Sequence, residues 1–380
     1  MKRYKMIDVV SEISERENCP STSGYDHFVG LEHYVSGEVK ITKFGSTANL
    51  DSAMKVFHSG DILVARRNVY LKRASVVFFD GLTSGDSIVL RAKDNRIARL
   101  LPFVLNTDAF WNYADQHSDG TMSKRLSPKT LMQYEFDLPD EDRQDYLADT
   151  LWAAAETKES YQRLLTQTDE LIKSQFIEMF GLPDTNEHGF DLGTIADVVN
   201  NVHYGTSRKS TENGKYVYIR MNNITYDGEL DLTDTKRIDV PDKELEGCLV
   251  CSGDVLFNRT NSRDLVGKTC SFNLSEPMVI AGYIIRLRMN GRVYADYLST
   301  FLNLAYSKRI LLGMAKGAVG QANINAQEVQ SIAIVIPPKE KQDKFLLLKQ
   351  QSDKSKYELK QAIENISALI KSLIQQDFSN

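Results

Sequence analysis

The chain has 380 residues, 42% of them hydrophobic and 26% charged, a composition that predicts two to three globular domains and excludes collagen-like, disordered and membrane-embedded classes. No apolar run approaches the ~18 residues of a membrane span, the start Met1-Lys2-Arg3-Tyr4-Lys5-Met6 leads into no apolar signal segment, and four cysteines fit a reducing compartment, so a cytoplasmic protein is expected. The net charge of −5 divides unevenly, +1 over 1–138, −7 over 139–185, −1 over 186–338 and +2 over 339–380, and partners must be judged segment by segment.

In chain order, residues 1–138 carry short apolar runs at 61–65 and 75–79, punctuated by glycine and asparagine as strands and turns are. A helix is predicted over 102–113. After Pro139 the pattern becomes helical, with Leu164/Leu165, Thr168, Leu171/Ile172, Phe176 and Met179 alternating by three and four. Strand-like runs return at 217–219 and 332–336, a helix is predicted over 297–314, and after Pro337 a second long helix carries Leu359, Ile363, Ile366, Ile370 and Leu373.

This order is a duplication with a period of about 190 to 198 residues. Met6-Ile7-Asp8-Val9-Val10 recurs as Ile195-Ala196-Asp197-Val198-Val199, and Phe28-Val29-Gly30-Leu31 loosely as Tyr218-Ile219-Arg220-Met221. Ser59-Gly60-Asp61 recurs as Ser252-Gly253-Asp254, Ile88 to Arg91 as Ile285 to Arg288, and Leu105-Asn106 as Leu302-Asn303. Leu126, Leu131, Phe136, Leu138, Pro139 and Gln144 stand 198 residues before Ile324, Val329, Ile334, Ile336, Pro337 and Gln342, and Leu171 to Ser174 returns as Leu369 to Ser372. Each repeat is thus a mixed lobe followed by about 40 residues of helix, on the order of 60 Å long. Neither helix can bury an apolar stripe alone, and their opposite charges favour an antiparallel pair with a lobe at each end; the alternative is that each packs on its own lobe. Ser352, Lys356 and Gln175 interrupt the stripe. The expected fold class is α+β, two mixed α/β lobes separated by a pair of long antiparallel helices with an internal pseudo-two-fold duplication.

Two similar lobes on a spacer suit two sites a fixed distance apart on duplex DNA, read by Arg, Lys, Asn and Gln against base edges and phosphates. The candidates in the first lobe are Arg66, Arg67, Asn68, Tyr70, Lys72 and Arg73, with Lys124 and Arg125 after Gly120. Those in the second are Tyr204, Arg208 and Lys209, then Arg259, Asn261, Arg263 and Lys268, then Lys316, Gln321 and Asn323 in a glycine-containing loop. The glycines permit close backbone approach, and the amides can grip adenine. Surface basic loops are the plainer alternative.

The Ser-Gly-Asp motif with its basic continuation, the run Gly317-Ala318-Val319-Gly320-Gln321-Ala322-Asn323-Ile324-Asn325, and Ile336-Pro337-Pro338-Lys339-Glu340-Lys341-Gln342 opening a helix resemble the DNA specificity subunit of type I restriction-modification systems. The resemblance covers essentially the whole chain. It implies target recognition domains at 1–138 and 186–338 and conserved spacer helices at 139–185 and 339–380. Each lobe would read one half of a bipartite target on double-stranded DNA. The helices would set spacing and dock two methyltransferase subunits, which methylate adenine using S-adenosylmethionine; restriction subunits using ATP and Mg would join them. No cofactor would bind this chain, which would not itself be an enzyme. A fused methylase-nuclease partner is the alternative within the family, and a self-sufficient DNA methyltransferase or nuclease the alternative outside it. Thr260 opposite Arg67 argues against equivalent base contacts in the two lobes.

The motifs of such an enzyme are missing from the sequence. The one Pro-Pro, Pro337-Pro338, lies between Ile336 and Lys339 and lacks the flanking residues of an amino-methyltransferase motif, and no Walker-type loop occurs. Pro241-Asp242-Lys243-Glu244 reads as a charged turn, Cys248-Leu249-Val250-Cys251 lacks a second pair for zinc, and the six histidines show no ligand or triad spacing.

Overall fold

The computed structural model describes residues 1–120, 124–262, 265–315 and 322–378, which form two compact units, Met1–Gln162 with Lys360–Asn380 and Arg163–Leu359. Each unit contains one lobe and a portion of each long helix, Glu141–Phe180 and Lys339–Asp377.

In the first unit an antiparallel sheet has the strand order Val10–Ile13, Ser87–Ala92, Ile62–Ala65, Ala74–Val76. A second sheet includes the parallel pair His27–Val29 and Gly81–Thr83, and the ribbon Lys2–Lys5 with Glu135–Leu138 closes the lobe. The second unit repeats this. Its sheet order is Val199–Tyr204, Ile284–Met289, Asp254–Asn258, Thr269–Phe272; its parallel pair is Tyr216–Ile219 with Met278–Ile280; its ribbon is Asp191–Thr194 with Ala333–Ile336.

The repeated sequence signatures turn out to be repeated hydrogen bonds. Asp61 and Asp254, each 1% exposed, accept two bonds from the guanidinium of Arg91 (2.7 and 2.8 Å) and Arg288 (both 2.8 Å). The same carboxylates accept the backbone N–H of His58 and Cys251 at 2.8 and 2.9 Å, across a turn whose glycine has φ +94° at Gly60 and +91° at Gly253. Positive φ demands glycine there, so Ser-Gly-Asp marks a turn locked by its own aspartate. Asn106 donates to Ala74 O at 2.6 Å and Asn303 to Thr269 O at 2.7 Å. Gln144 and Gln342, both buried, donate to Pro139 O and Pro337 O at 2.8 Å.

Two predicted helices are corrected by the same asparagines. Residues 102–113 form no single helix but the end of Asn95–Val104 and most of Asp108–Gln116; residues 297–314 divide into Ala295–Leu302 and Ala305–Met314. Asn106 also donates to Pro102 O and Asn303 to Ser299 O, four residues back, capping the first helix of each pair with a side chain. Thr107 then N-caps the next helix by accepting from Phe110 N–H. Pro102 lies inside a helix, not at its start. The predicted strand at 75–79 ends at Val76.

The long helices begin where the prolines predict. Asp140 accepts Arg143 N–H at 3.1 Å, Glu141 and Asp142 complement the positive end of the dipole, and Gly181 with φ +70° stops the first helix. In the first unit Leu147, Ala148 and Leu151 are buried in the lobe's core, joined by Ile370, Leu373, Ile374 and Phe378, and Arg143 pairs with Asp377 at 2.8 Å. In the second unit Phe176 and Phe180 pack edge-on or tilted against Phe345 and Tyr297 at 4.8 to 5.5 Å between ring centres, and Asp169 pairs with Lys356 at 2.7 Å. Within each unit the helix portions therefore run antiparallel, and they also pack on the lobe, so the two alternatives read from sequence both occur. Of the residues interrupting the stripe, Lys356 is buried between Asp169 and Glu229, Ser352 has a buried hydroxyl without a partner among the described residues, and Gln175 reaches Glu178 on the exposed face.

Candidate nucleic-acid interface

In the first lobe the two sequence clusters meet. Leu126 N–H donates to Arg66 O at 2.8 Å, Asn68 N–H to Lys124 O at 3.0 Å, and Arg67 faces Arg125 across an antiparallel bridge. Arg66 adds an Nε donor to Leu126 O at 3.2 Å. Arg67 and Arg125, both about half exposed, grip the Asp86 carboxylate, Arg67 at 3.3 Å. Asn68 (φ +54°) and Lys72 (φ +47°) bracket the one-turn helix Val69–Leu71 in left-handed conformations, tolerable for Asn and costly for Lys. That turn leaves Tyr70 67% exposed, while Lys72 is tied to Asp108 at 2.6 Å, which holds the Asp108 carboxyl below its usual range. Lys124 bonds the Asp115 carboxylate at 2.7 Å. Arg73 turns inward to Leu31 O and Arg67 O, both at 3.0 Å, and burial lowers its pKa.

The second lobe is built alike. Ile324 N–H donates to Arg259 O at 2.9 Å, and Thr260–Asn261 pairs with Ala322–Asn323. The Arg259 guanidinium lies over the Tyr204 ring at 4.8 Å, and the Tyr204 hydroxyl accepts Ala326 N–H at 3.0 Å, so the third cluster joins the other two. Arg208 is bound through two nitrogens to Glu244, at 2.7 and 2.8 Å, and this partner holds the Glu244 carboxyl below its usual range. Lys209 is exposed, Asn261 accepts Ser262 N–H at 2.8 Å, and Asn323 is exposed. Lys268 is buried as a residue, and burial lowers its pKa. Arg263, Lys316 and Gln321 lie outside the described residues.

Sequence reading did not connect the carboxylates Asp86, Asp108, Asp115 and Glu244 with the cations they take up, 9 to 39 residues away in the chain, and missed the exposed Tyr283. The duplication held a signal for two of them. Arg66 N–H donates to Asp86 O at 2.9 Å and Arg259 N–H to Tyr283 O at 3.0 Å, which makes Asp86 and Tyr283 counterparts. Beside the second-lobe cluster lies a polar cleft of about 560 Å³ lined by Tyr204, Thr206, Ser207, Lys243 and Glu244 among others. Among the described residues no three His, Cys, Asp or Glu side chains gather as a metal site requires, and no helix is long and apolar enough to cross a membrane.

Residues 187–366 match a family model described as the type I restriction modification DNA specificity domain. A Methanocaldococcus jannaschii protein named as a putative type I restriction enzyme MjaX specificity subunit is 23% identical over 194 residues, 50% of this chain and 45% of that protein. The EcoKI specificity subunit of Escherichia coli K12 is 21% identical over 190 residues, 48% of this chain and 40% of that protein. The matched stretch thus spans less than half the length of either relative. The crystal structure of a type I restriction-modification system S subunit from M. genitalium shares the fold, with a TM-score of 0.55 at 14% identity, covering 98% of this chain and 95% of that one.

Proposed function

We propose, on the premise that residues 187–366 are a type I restriction modification DNA specificity domain, that the whole chain is the DNA specificity subunit of such a system. Each lobe reads one half of a bipartite duplex target, and the long helices set the spacing and dock two methyltransferase subunits in the cytoplasm. Adenine methylation with S-adenosylmethionine, and ATP- and Mg-dependent restriction, belong to partner subunits. The observation that carries this reading is the shared hydrogen-bond frame of the two lobes. Asp61 with Arg91 matches Asp254 with Arg288, and the frame supports unlike side chains at equivalent surface positions, as two different half-sites require. The target recognition domains are residues 1–138 and 186–338, and the spacer helices 139–185 and 339–380.

In this reading the contacts come from Arg67, Tyr70 and Arg125 in the first lobe and from Tyr204, Lys209, Arg259, Asn261 and Asn323 in the second. Arg66, Lys72, Arg73, Lys124 and Arg208 position them. Near-neutral lobes hold DNA weakly on their own, so partner subunits supply much of the phosphate attraction.

The test is to insert one heptad into each long helix, near residues 162 and 359, and map methylated sites in a host carrying the partner genes. Seven residues add about 10 Å of helix, so the gap lengthens by about three base pairs at ~3.4 Å each while both half-sites stay the same. An unchanged gap overturns the spacer role, and a methylation pattern independent of this gene overturns the function.

A further inference from the structure

Three positions sit on the same backbone frame in both lobes and carry opposed chemistry. Arg66 N–H to Asp86 O and Leu126 N–H to Arg66 O, at 2.9 and 2.8 Å, correspond to Arg259 N–H to Tyr283 O and Ile324 N–H to Arg259 O, at 3.0 and 2.9 Å. The two bonds set residue 67 facing 125 and residue 260 facing 323 in the same antiparallel register. Positions 67, 86 and 125 are therefore the counterparts of 260, 283 and 323.

In the first lobe this trio is Arg67, Asp86 and Arg125, two half-exposed guanidiniums each bonded to one shared carboxylate. In the second it is Thr260, Tyr283 and Asn323, which carry no charge. Thr260 is buried and donates its hydroxyl to Asn323 Oδ1 at 3.3 Å, while Asn323 and Tyr283 are exposed.

We infer that these trios determine specificity, that of the first lobe taking a G·C pair and that of the second an A·T pair. The inference rests on the proposed function and adds the class of base pair to it. Guanine offers two acceptors, O6 and N7, to a planar guanidinium, and cytosine offers the N4 amino group to a carboxylate. Arg67, Arg125 and Asp86 supply those donors and that acceptor together. Adenine offers an acceptor at N7 and a donor at N6, which one amide matches. Asn323 presents that amide, and the Thr260 hydroxyl on its oxygen orients it. Opposite an A·T pair the first trio would set arginine N–H groups against the adenine amino group, donor against donor, which rejects the wrong pair. The shared Asp86 holds both guanidiniums in place before DNA arrives, which reduces the ordering cost of the contact.

The test exchanges the trios in the chain expressed with its partner subunits, R67T/D86Y/R125N in one variant and T260R/Y283D/N323R in the other, with methylated sites mapped across the host genome. The first variant should exchange a G·C for an A·T requirement in one half-site, and the second the reverse in the other. Discrimination at the original pair should fall roughly tenfold to a hundredfold. Both half-sites unchanged, or both variants altering the same half-site, overturns the inference. Should a triple variant fail to accumulate, R67A/R125A and N323A decide. R67A/R125A removes both guanidiniums that would donate to guanine, so G·C discrimination at the wild-type ratio refutes the first assignment; undiminished A·T discrimination by N323A refutes the second. A wild-type chain that directs methylation to no bipartite site refutes the proposed function itself, an outcome distinct from variants that leave a real target unaltered.

Discussion

Asp61→Asn tests the claim that Ser-Gly-Asp is a structural lock. The buried carboxylate accepts Arg91 through two nitrogens at 2.7 and 2.8 Å and His58 N–H at 2.8 Å. The asparagine amide keeps one oxygen for His58 N–H and Arg91 Nη2 but sets its NH2 group against Arg91 Nε, donor against donor. A hydrogen bond to a charged group contributes about 1.5–3 kcal/mol. The Arg91 side chain is 44% exposed and can rehydrate, so the broken bond and the donor–donor contact it leaves cost about 2–3 kcal/mol. Both tryptophans, Trp111 and Trp152, lie in the first unit, so their emission during urea titration reports on that unit. With a slope of about 2 kcal/mol per molar, the emission midpoint falls by about 1 to 1.5 M urea. Asp254→Asn breaks the matching bond from Arg288 Nε in the second unit and reads in far-UV circular dichroism. An Asp61→Asn midpoint equal to wild type would refute the lock.

Three further outcomes follow from buried polar groups. The Lys308 ammonium is brought from 10.5 down to about 8 by burial, then by the charges of Lys173 and Lys268. The unfolded chain binds more protons between those values, so stability rises as pH climbs from about 8 towards 10.5; Lys308→Met loses this slope, and equal slopes in urea midpoints of both proteins contradict it. Gln342→Ala abandons Pro337 O, Arg292 O and Tyr294 N–H, at 2.8 to 3.0 Å, whereas Gln144→Ala abandons the single bond to Pro139 O. The former should cost about 2–4 kcal/mol and the latter about 1–2, and equal losses in denaturant would show that the extra bonds do not count. Burial lowers the Lys356 pKa, but Asp169 and Glu229, at 2.7 and 2.9 Å, more than offset this and hold it above the usual lysine value. Lys356→Met removes the ammonium both carboxylates share and costs about 2–3 kcal/mol. Because the pair is buried, that loss should persist in about 1 M salt, where a surface pair would be screened.

The duplicated order of motifs determined the architecture, because each repeated signature encodes a contact that closes within its own repeat. Asp61 needs Arg91, Asn106 needs Ala74 O, and Gln144 needs Pro139 O; each pairing recurs in the second lobe. The starts of the long helices were legible from Pro139 and Pro337. The division of the paired short helices was not, since the side-chain caps of Asn106 and Asn303 compete with a helical pattern that runs straight through them.

Which candidate cations are available was decided by tertiary structure alone. A stretch of four cations within residues 66–73 reads as one basic patch, yet in the fold Lys72 goes to Asp108, Arg73 to backbone carbonyls, and Arg67 to Asp86, which it shares with Arg125. Charge in a sequence is counted per residue, but the field at a surface depends on partners that only folding brings within about 3 Å. The chain order therefore sets out two lobes on one frame, and the three-dimensional pairing decides which of their side chains stay unpaired by carboxylates at the surface and which are tied down.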